Sequence, residues 1–88
     1  MTRIFKYNLA IEDLQEIELP RGYVISDVQM QWSQLMLWAI VDPTHELVKA
    51  AIRIYNTGGS FELADSRYIS TFQANNGAYV GHVFEVSA

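Results

Sequence analysis

Three aromatic side chains near predicted turns are the residues of this 88-residue chain best suited to recognition chemistry. Trp32, Phe61 and Tyr79 lie at or beside segments that interrupt the strand pattern, where an aromatic side chain is hard to bury within its own chain. Tryptophan and tyrosine dominate binding hot spots because they offer large apolar surfaces with a polar tip. We therefore expect these three residues to bind a partner. For Trp32 the alternative is an indole folded back over the mouth of the domain.

A second group combines arginine with tyrosine. Arg53, Tyr55, Arg67 and Tyr68 lie at the strand ends that flank the longest predicted loop. Guanidinium groups and phenol rings together can hold an anionic nucleotide by charge and by stacking. A module that sequesters such a ligand is therefore the alternative function.

Residues for catalysis or metal binding are sparse. His45 and His82 are the only two histidines, and cysteine is absent. Their spacing matches no metal site, and we expect His82 to be a core or rim residue with a hydrogen-bond partner, on an apolar face between Val80 and Phe84. No serine nucleophile motif exists, and the glycine pair at residues 58–59 lacks the lysine of a phosphate loop. We expect no enzyme activity, no cofactor and no metal.

Charge and composition exclude further classes. The net charge is −4, and the six basic residues are scattered along the chain. A protein that neutralises nucleic-acid phosphates needs a basic stripe, so we expect no nucleic-acid partner. Where charge guides binding, we expect the partner to be basic. No leader-like apolar segment and no 18-residue apolar run occur, which favours a cytoplasmic location with no membrane contact. A chain this short buries limited apolar surface, and a second copy can cover what remains exposed. We therefore also expect self-association.

The dominant sequence period is two, which is typical of strands with one buried face. Alternating apolar residues predict strands near residues 5–11, 16–20, 23–31, 35–41, 48–55, 68–73 and 80–86. A long loop follows residue 56, and Asn75-Asn76-Gly77 predicts a tight hairpin. The sequence thus predicts a single all-β domain over residues 1–88, an antiparallel meander of about seven strands forming a barrel or a sandwich.

The hairpin around Trp32-Ser33 is the clearest local prediction. Its first strand places Val24, Val28 and Met30 on one face. Its second strand, residues 35–41, is apolar on both faces, which indicates a strand buried on both sides with Trp38 in the core.

Five blocks of the chain carry a family resemblance: Arg3-Ile4-Phe5-Lys6-Tyr7-x-Leu9, Leu37-Trp38-Ala39-x-Val41-Asp42-Pro43, Arg53-Ile54-Tyr55-x-Thr57-Gly58, Tyr68-Ile69-x-Thr71-Phe72-Gln73 and His82-Val83-Phe84-Glu85. With these blocks in this order, the chain resembles a family of short, functionally uncharacterised proteins found mostly in bacteriophages and bacterial prophages. The resemblance implies a phage-associated accessory protein, with no activity or site to carry over. Its relatives usually have an Asn-Gly-like hairpin tip where this chain has Trp32-Ser33.

These observations favour an interaction protein that acts by binding. We expect a host or phage protein as its partner and the host cytoplasm as its location, as for a small inhibitor of a host defence or other host factor. A small enzyme and a structural virion component are the less favoured alternatives.

Overall fold

The computed structural model describes residues 1–87, which form seven β-strands and no helix. Six of the seven strands are seven to nine residues long, and β5 has ten. The strands are β1 (Arg3–Leu9), β2 (Leu14–Pro20), β3 (Val24–Gln31), β4 (Gln34–Val41), β5 (Leu47–Asn56), β6 (Ser66–Ala74) and β7 (Tyr79–Val86). The prediction of an all-β domain with about seven strands is confirmed.

The strands form two antiparallel sheets that pack face to face as a sandwich. One sheet has the order β1-β4-β3 and the other has the order β2-β5-β7-β6. The connectivity is less local than a meander, because only the β3–β4 and β6–β7 hairpins join neighbouring strands. The β1–β2, β2–β3 and β4–β5 connections cross between the sheets, and the β5–β6 connection joins two strands of one sheet that β7 separates. Alternation of apolar residues shows that each strand buries one face, but it does not specify which strand lies beside it.

The core consists of the inner faces of both sheets. Leu37 on β4, Ile52 on β5 and Val83 on β7 are completely buried, and Phe72 on β6 is nearly so. Gly81 makes room for the Phe72 ring, since a Cβ at position 81 would lie 2.6 Å from two of the ring carbons. The glycine is therefore required by close packing and not by backbone conformation.

Strands β3 and β6 meet where the two sheets adjoin. The buried Ser70 hydroxyl donates to the main-chain oxygen of Val28 at 2.6 Å and accepts from its N–H at 3.2 Å. The register slips by one residue at Ser26 in β3 and at Ile69 in β6, so each of these edge strands carries a bulge. Bulges interrupt ladder pairing. The sheets thus touch at this edge without a continuous ladder that would close a barrel.

The bulge in β3 corrects one prediction. Because Ser26 is an extra residue, Ile25 and Val28 both point into the core, while Val24 is exposed on the outer face. The expected inward position of Val24 is wrong. A one-residue insertion reverses the faces of all residues before it.

The expected double burial of β4 is only partly right. Leu37 and Ala39 face the core as expected, and Met36 is buried on the other face. Trp38 and Ile40 share that outer face, where Trp38 is half-buried and Ile40 is 38% exposed. The assignment of Trp38 to the core is therefore wrong, because the outer side of the three-stranded sheet has no second layer over it within residues 1–87.

Candidate functional site

Trp32 occupies the tip of the β3–β4 hairpin. Gln31 pairs with Gln34, so Trp32 and Ser33 form a two-residue turn. Only Trp32 of these two has a positive φ, 59°. This is the φ pattern of a type II′ turn, which normally has glycine at its first central position. The Trp32 side chain is 95% exposed, so the alternative of an indole folded over the domain is wrong.

This conformation is unfavourable for folding. A residue other than glycine in the left-handed region costs on the order of 1–3 kcal/mol. The exposed indole regains none of that free energy by burial in the single chain. Residues held in such conformations cluster at functional sites, so the strain at Trp32 supports a role outside the fold.

A groove lies beside Trp32 at this end of the sandwich. It has a volume of 720 Å³, and its apolar lining includes Ile11, Met30 and Tyr79. Tyr79 is half-buried because its ring packs on Phe72, with 5.9 Å between the ring centroids. Thus Trp32 and Tyr79 share one surface, which we call the tip groove. Phe61 lies elsewhere.

The opposite wall of the tip groove is the β6–β7 turn. Asn75 and Asn76 have φ values of 53° and 57°, and the N–H of Gly77 donates to the main-chain oxygen of Ala74 at 3.1 Å. Two successive positive φ values define a type I′ turn. The predicted hairpin at these residues is confirmed, and it adds amide side chains to the groove.

A second surface, the aromatic pocket, lies on the outer face of the four-stranded sheet. Tyr55 on β5 and Tyr68 on β6 flank Phe84 on β7, and both contact it edge-on at 5.5 and 5.6 Å. Phe61, from the long loop, stacks on Tyr55 at 4.2 Å with 18° between the ring planes. The pocket has a volume of 300 Å³, which is at the small end of the range for ligand sites.

Two polar side chains border the aromatic pocket. The ring of His82 makes hydrogen bonds through Nε2 to the Thr57 hydroxyl at 2.7 Å and through Nδ1 to the Thr71 hydroxyl at 3.1 Å. Both ring nitrogens are engaged, which leaves His82 poorly placed as a general base. The Arg53 guanidinium lies 6.0 Å from the centre of the Tyr55 ring, at the outer limit of a cation–π contact.

His82 and Phe84 were not among the predicted binding residues. The sequence places them on one face of β7 with Val80, but the core lies on the other face, with Gly81 and Val83. His82 has the expected hydrogen-bond partners, although its face is the outer one. The sequence feature that could have placed both residues at one surface was the alternation in β7, because it puts Phe84 on the same face as His82.

Arg67 lies apart from the other three residues of its predicted group. Its Nη2 donates to Glu85 Oε1 at 3.1 Å, and the hydroxyl of Tyr23 donates to Glu85 Oε2. Burial, together with the hydrogen bond to the Glu85 carboxylate, raises the pKa of Tyr23 to about 12. Adjacent strand residues point to opposite faces, so Arg67 is separated from Tyr68 in the aromatic pocket.

Residues 1–87 contain no cluster of metal-ligating side chains and no helix that could cross a membrane. No three or more histidine, aspartate or glutamate side chains in this part of the chain are grouped so as to hold a metal ion. Within the same residues, no helix is long and apolar enough to cross a membrane.

The fold and its two surfaces define the class of protein: a small all-β sandwich with one aromatic-tipped hairpin and one aromatic pocket. The chain belongs to the family described as Domain of unknown function (DUF7352), whose model matches residues 1–88. Comparisons with curated proteins and with solved structures find no match. Membership of an uncharacterised family is thereby confirmed, while a phage origin stays a prediction.

Proposed function

We propose that this protein acts by binding another protein through Trp32 and the tip groove. The observation that carries the proposal is a tryptophan that is 95% exposed and is held at a φ of 59°. Buried aromatic anchors supply most of the free energy at protein interfaces. An indole in water on a strained turn provides such an anchor before the partner arrives.

Hydrogen bonds hold the base of the turn in place. Lys6 Nζ donates to Gln31 Oε1 at 2.8 Å, and Gln34 Nε2 donates to the main-chain oxygen of Leu9 at 2.8 Å. Both bonds join the hairpin to β1 or to its end. A preorganised anchor loses little conformational entropy on binding, which favours affinity.

The partner is a host or phage protein, and the protein acts in the host cytoplasm as an inhibitor of a host defence or another host factor. The net charge of −4 supports a partner with a basic surface. The resemblance to phage proteins supports the host context. Binding without catalysis fits the engagement of both His82 ring nitrogens by threonine hydroxyls.

Quantitative affinity capture from host lysate tests this proposal. We expect one protein to be retained by the wild type and by the matched control Tyr68→Ala, which removes an exposed aromatic on the other surface, and to be lost with Trp32→Ala. With the purified partner, Trp32→Ala should weaken binding by about 30-fold or more, the effect of a hot-spot residue. Equal binding by the wild type and Trp32→Ala would contradict the proposal.

The aromatic pocket supports a second candidate, the sequestering of an anionic nucleotide-type ligand. Tyr55 and Tyr68 line the pocket, and the Arg53 guanidinium lies beside it, 6.0 Å from the centre of the Tyr55 ring. Phe61 already covers one face of Tyr55, so a bound base would displace Phe61 or stack on Tyr68. A rise in melting temperature with one nucleotide of a panel, lost in Arg53→Ala, would support this candidate. A flat response across the panel would count against it.

A further inference from the structure

The outer face of the three-stranded sheet carries an uncovered apolar row. Ile4 on β1, Ile40 on β4 and Val24 on β3 are direct cross-strand neighbours. They are 68%, 38% and 52% exposed, respectively. Contiguous apolar surface on a small protein marks an interaction site more often than single exposed residues do.

The next row of the same face carries a pair of opposite charges. Lys6 and Asp27 are the cross-strand neighbours of Trp38, one on each side of it. None of the ion pairs within residues 1–87 includes either of them. Lys6 Nζ reaches across β4 to the neutral Gln31 Oε1 at 2.8 Å, and Asp27 Oδ1 accepts the Val28 N–H at 2.8 Å, so neither charge is neutralised by these contacts.

The strand order β1-β4-β3 makes this outer face self-complementary. Strand β4 is the central one, so a two-fold axis parallel to β4 places β1 of one copy over β3 of the other. Each Lys6 then faces Asp27 of the second copy, and each Trp38 faces its own equivalent. In a two-fold dimer the same patch serves both copies, so every favourable contact occurs twice.

The apolar row matches under the same operation. Ile4 of one copy faces Val24 of the other, and Ile40 meets its own equivalent on the axis. A two-fold axis across the strands would instead place this row over the polar row of Asn8 and Gln29. Only the axis along β4 aligns both the apolar and the charged rows.

We propose that the outer face of the three-stranded sheet binds a second copy of this chain as a two-fold dimer with its axis parallel to β4. Three strands of seven or eight residues present a face of about 14 by 25 Å. Two such faces together have an area of about 700 Å², which is below the usual range for stable interfaces, so the dimer should be weak, with a dissociation constant that is micromolar or weaker. This dimer does not depend on the proposed function, because Trp32 extends from the end of the hairpin.

A charge-exchange experiment tests the pairing by sedimentation equilibrium. The wild type should dimerise as concentration rises. Lys6→Glu and Asp27→Lys should each weaken dimerisation by about tenfold, because both interchain pairs become like-charged. An equimolar mixture should recover wild-type association, since the two variants restore opposite charges at both pairs. Lys49→Glu and Glu16→Lys make the same charge changes on the other sheet and should leave dimerisation unchanged.

A second variant keeps the test valid if Asp27→Lys does not fold, since the Asp27 carboxylate also accepts the Val28 N–H at 2.8 Å. Ile40→Asp places two carboxylates against each other on the axis and should reduce dimerisation at least tenfold. Leu47→Asp, at an exposed apolar residue of the other sheet, is its control and should have no effect. A wild-type monomer up to about 1 mM would overturn the proposal. The proposal would also be overturned if Lys6→Glu and Asp27→Lys both fold but their mixture does not recover dimerisation. Equal effects of Ile40→Asp and Leu47→Asp on dimerisation would overturn it as well.

Discussion

Ser70 makes two hydrogen bonds to the main chain of Val28, accepting from its N–H at 3.2 Å and donating to its carbonyl oxygen at 2.6 Å. One hydroxyl thereby replaces a ladder pair between β3 and β6. Val28 is completely buried, so water is not there to take over these bonds. The contact satisfies a sheet edge that the bulges leave without regular pairing.

We expect Ser70→Ala to lower the free energy of unfolding by about 1–3 kcal/mol, because it leaves the buried carbonyl of Val28 without a partner. The Val28 N–H still donates to the Asp27 carboxylate at 2.8 Å. Urea denaturation measures the change. Ser66→Ala, on the same strand, removes a half-buried hydroxyl that has no hydrogen-bond partner within residues 1–87, and should cost much less. Equal losses in the two variants would show that the hydroxyl bonds contribute little.

Gly81→Ala should lower the free energy of unfolding by about 1–3 kcal/mol, the usual cost of an overpacked core. The added Cβ would lie 2.6 Å from Phe72 and 3.0 Å from Ile54. Combining it with Phe72→Leu, which shortens the clashing ring, should cost less than the sum of the two single changes. Thermal denaturation of the four proteins measures this coupling, and strict additivity would contradict the packing argument.

Trp32→Gly should stabilise the fold by about 0.5–1 kcal/mol, because glycine adopts a positive φ without steric cost. In a domain of this size that corresponds to a rise of a few degrees in melting temperature. The same change should abolish partner binding. Ser33→Gly, the neighbouring turn residue, is the control and should not reproduce this gain. A fall in stability with Trp32→Gly would mean that the indole contributes to the fold.

Stability should fall with rising pH between 10 and 12 in part because of Tyr23. Its pKa is raised from 10.0 to about 12 in the folded protein, so its contribution is complete below pH 10. That contribution is lost as the pH rises through the folded pKa, because unfolding then releases a proton. Tyr23→Phe should flatten this part of the profile, measured by urea denaturation across the alkaline range.

The control for the pH experiment is Tyr68→Phe. The hydroxyl of Tyr68 contacts Thr71 and not a carboxylate, so this variant should keep the wild-type slope. If Tyr23→Phe also kept that slope, the hydrogen bond to Glu85 would not contribute to alkaline stability.

Local patterns predicted the features that depend on a few neighbouring residues. Alternation in β5 placed Ala50, Ile52 and Ile54 on the buried face, as the structure shows. Asn75 and Asn76 formed the expected turn because asparagine tolerates positive φ. Both outcomes follow from residues adjacent in the chain.

Features that depend on strand neighbours were not predictable in this way. The bulge at Ser26 looks like a simple interruption of alternation, and only pairing with β4 reveals the inserted residue. The aromatic pocket forms because β7 lies between β5 and β6, which brings Phe84 between Tyr55 and Tyr68. Strand order arises from the packing of two sheets, and no segment of the sequence encodes it alone.

The direction of β4 has a consequence for how the proposed dimer would meet a partner. A two-fold axis parallel to β4 leaves both copies of that strand running the same way, so both Trp32 side chains emerge at the same end. A partner with two equivalent sites could then engage both indoles, and the second contact would form at a millimolar effective concentration. Weak single contacts would thereby yield avid binding, and that avidity would be lost when the dimer dissociates.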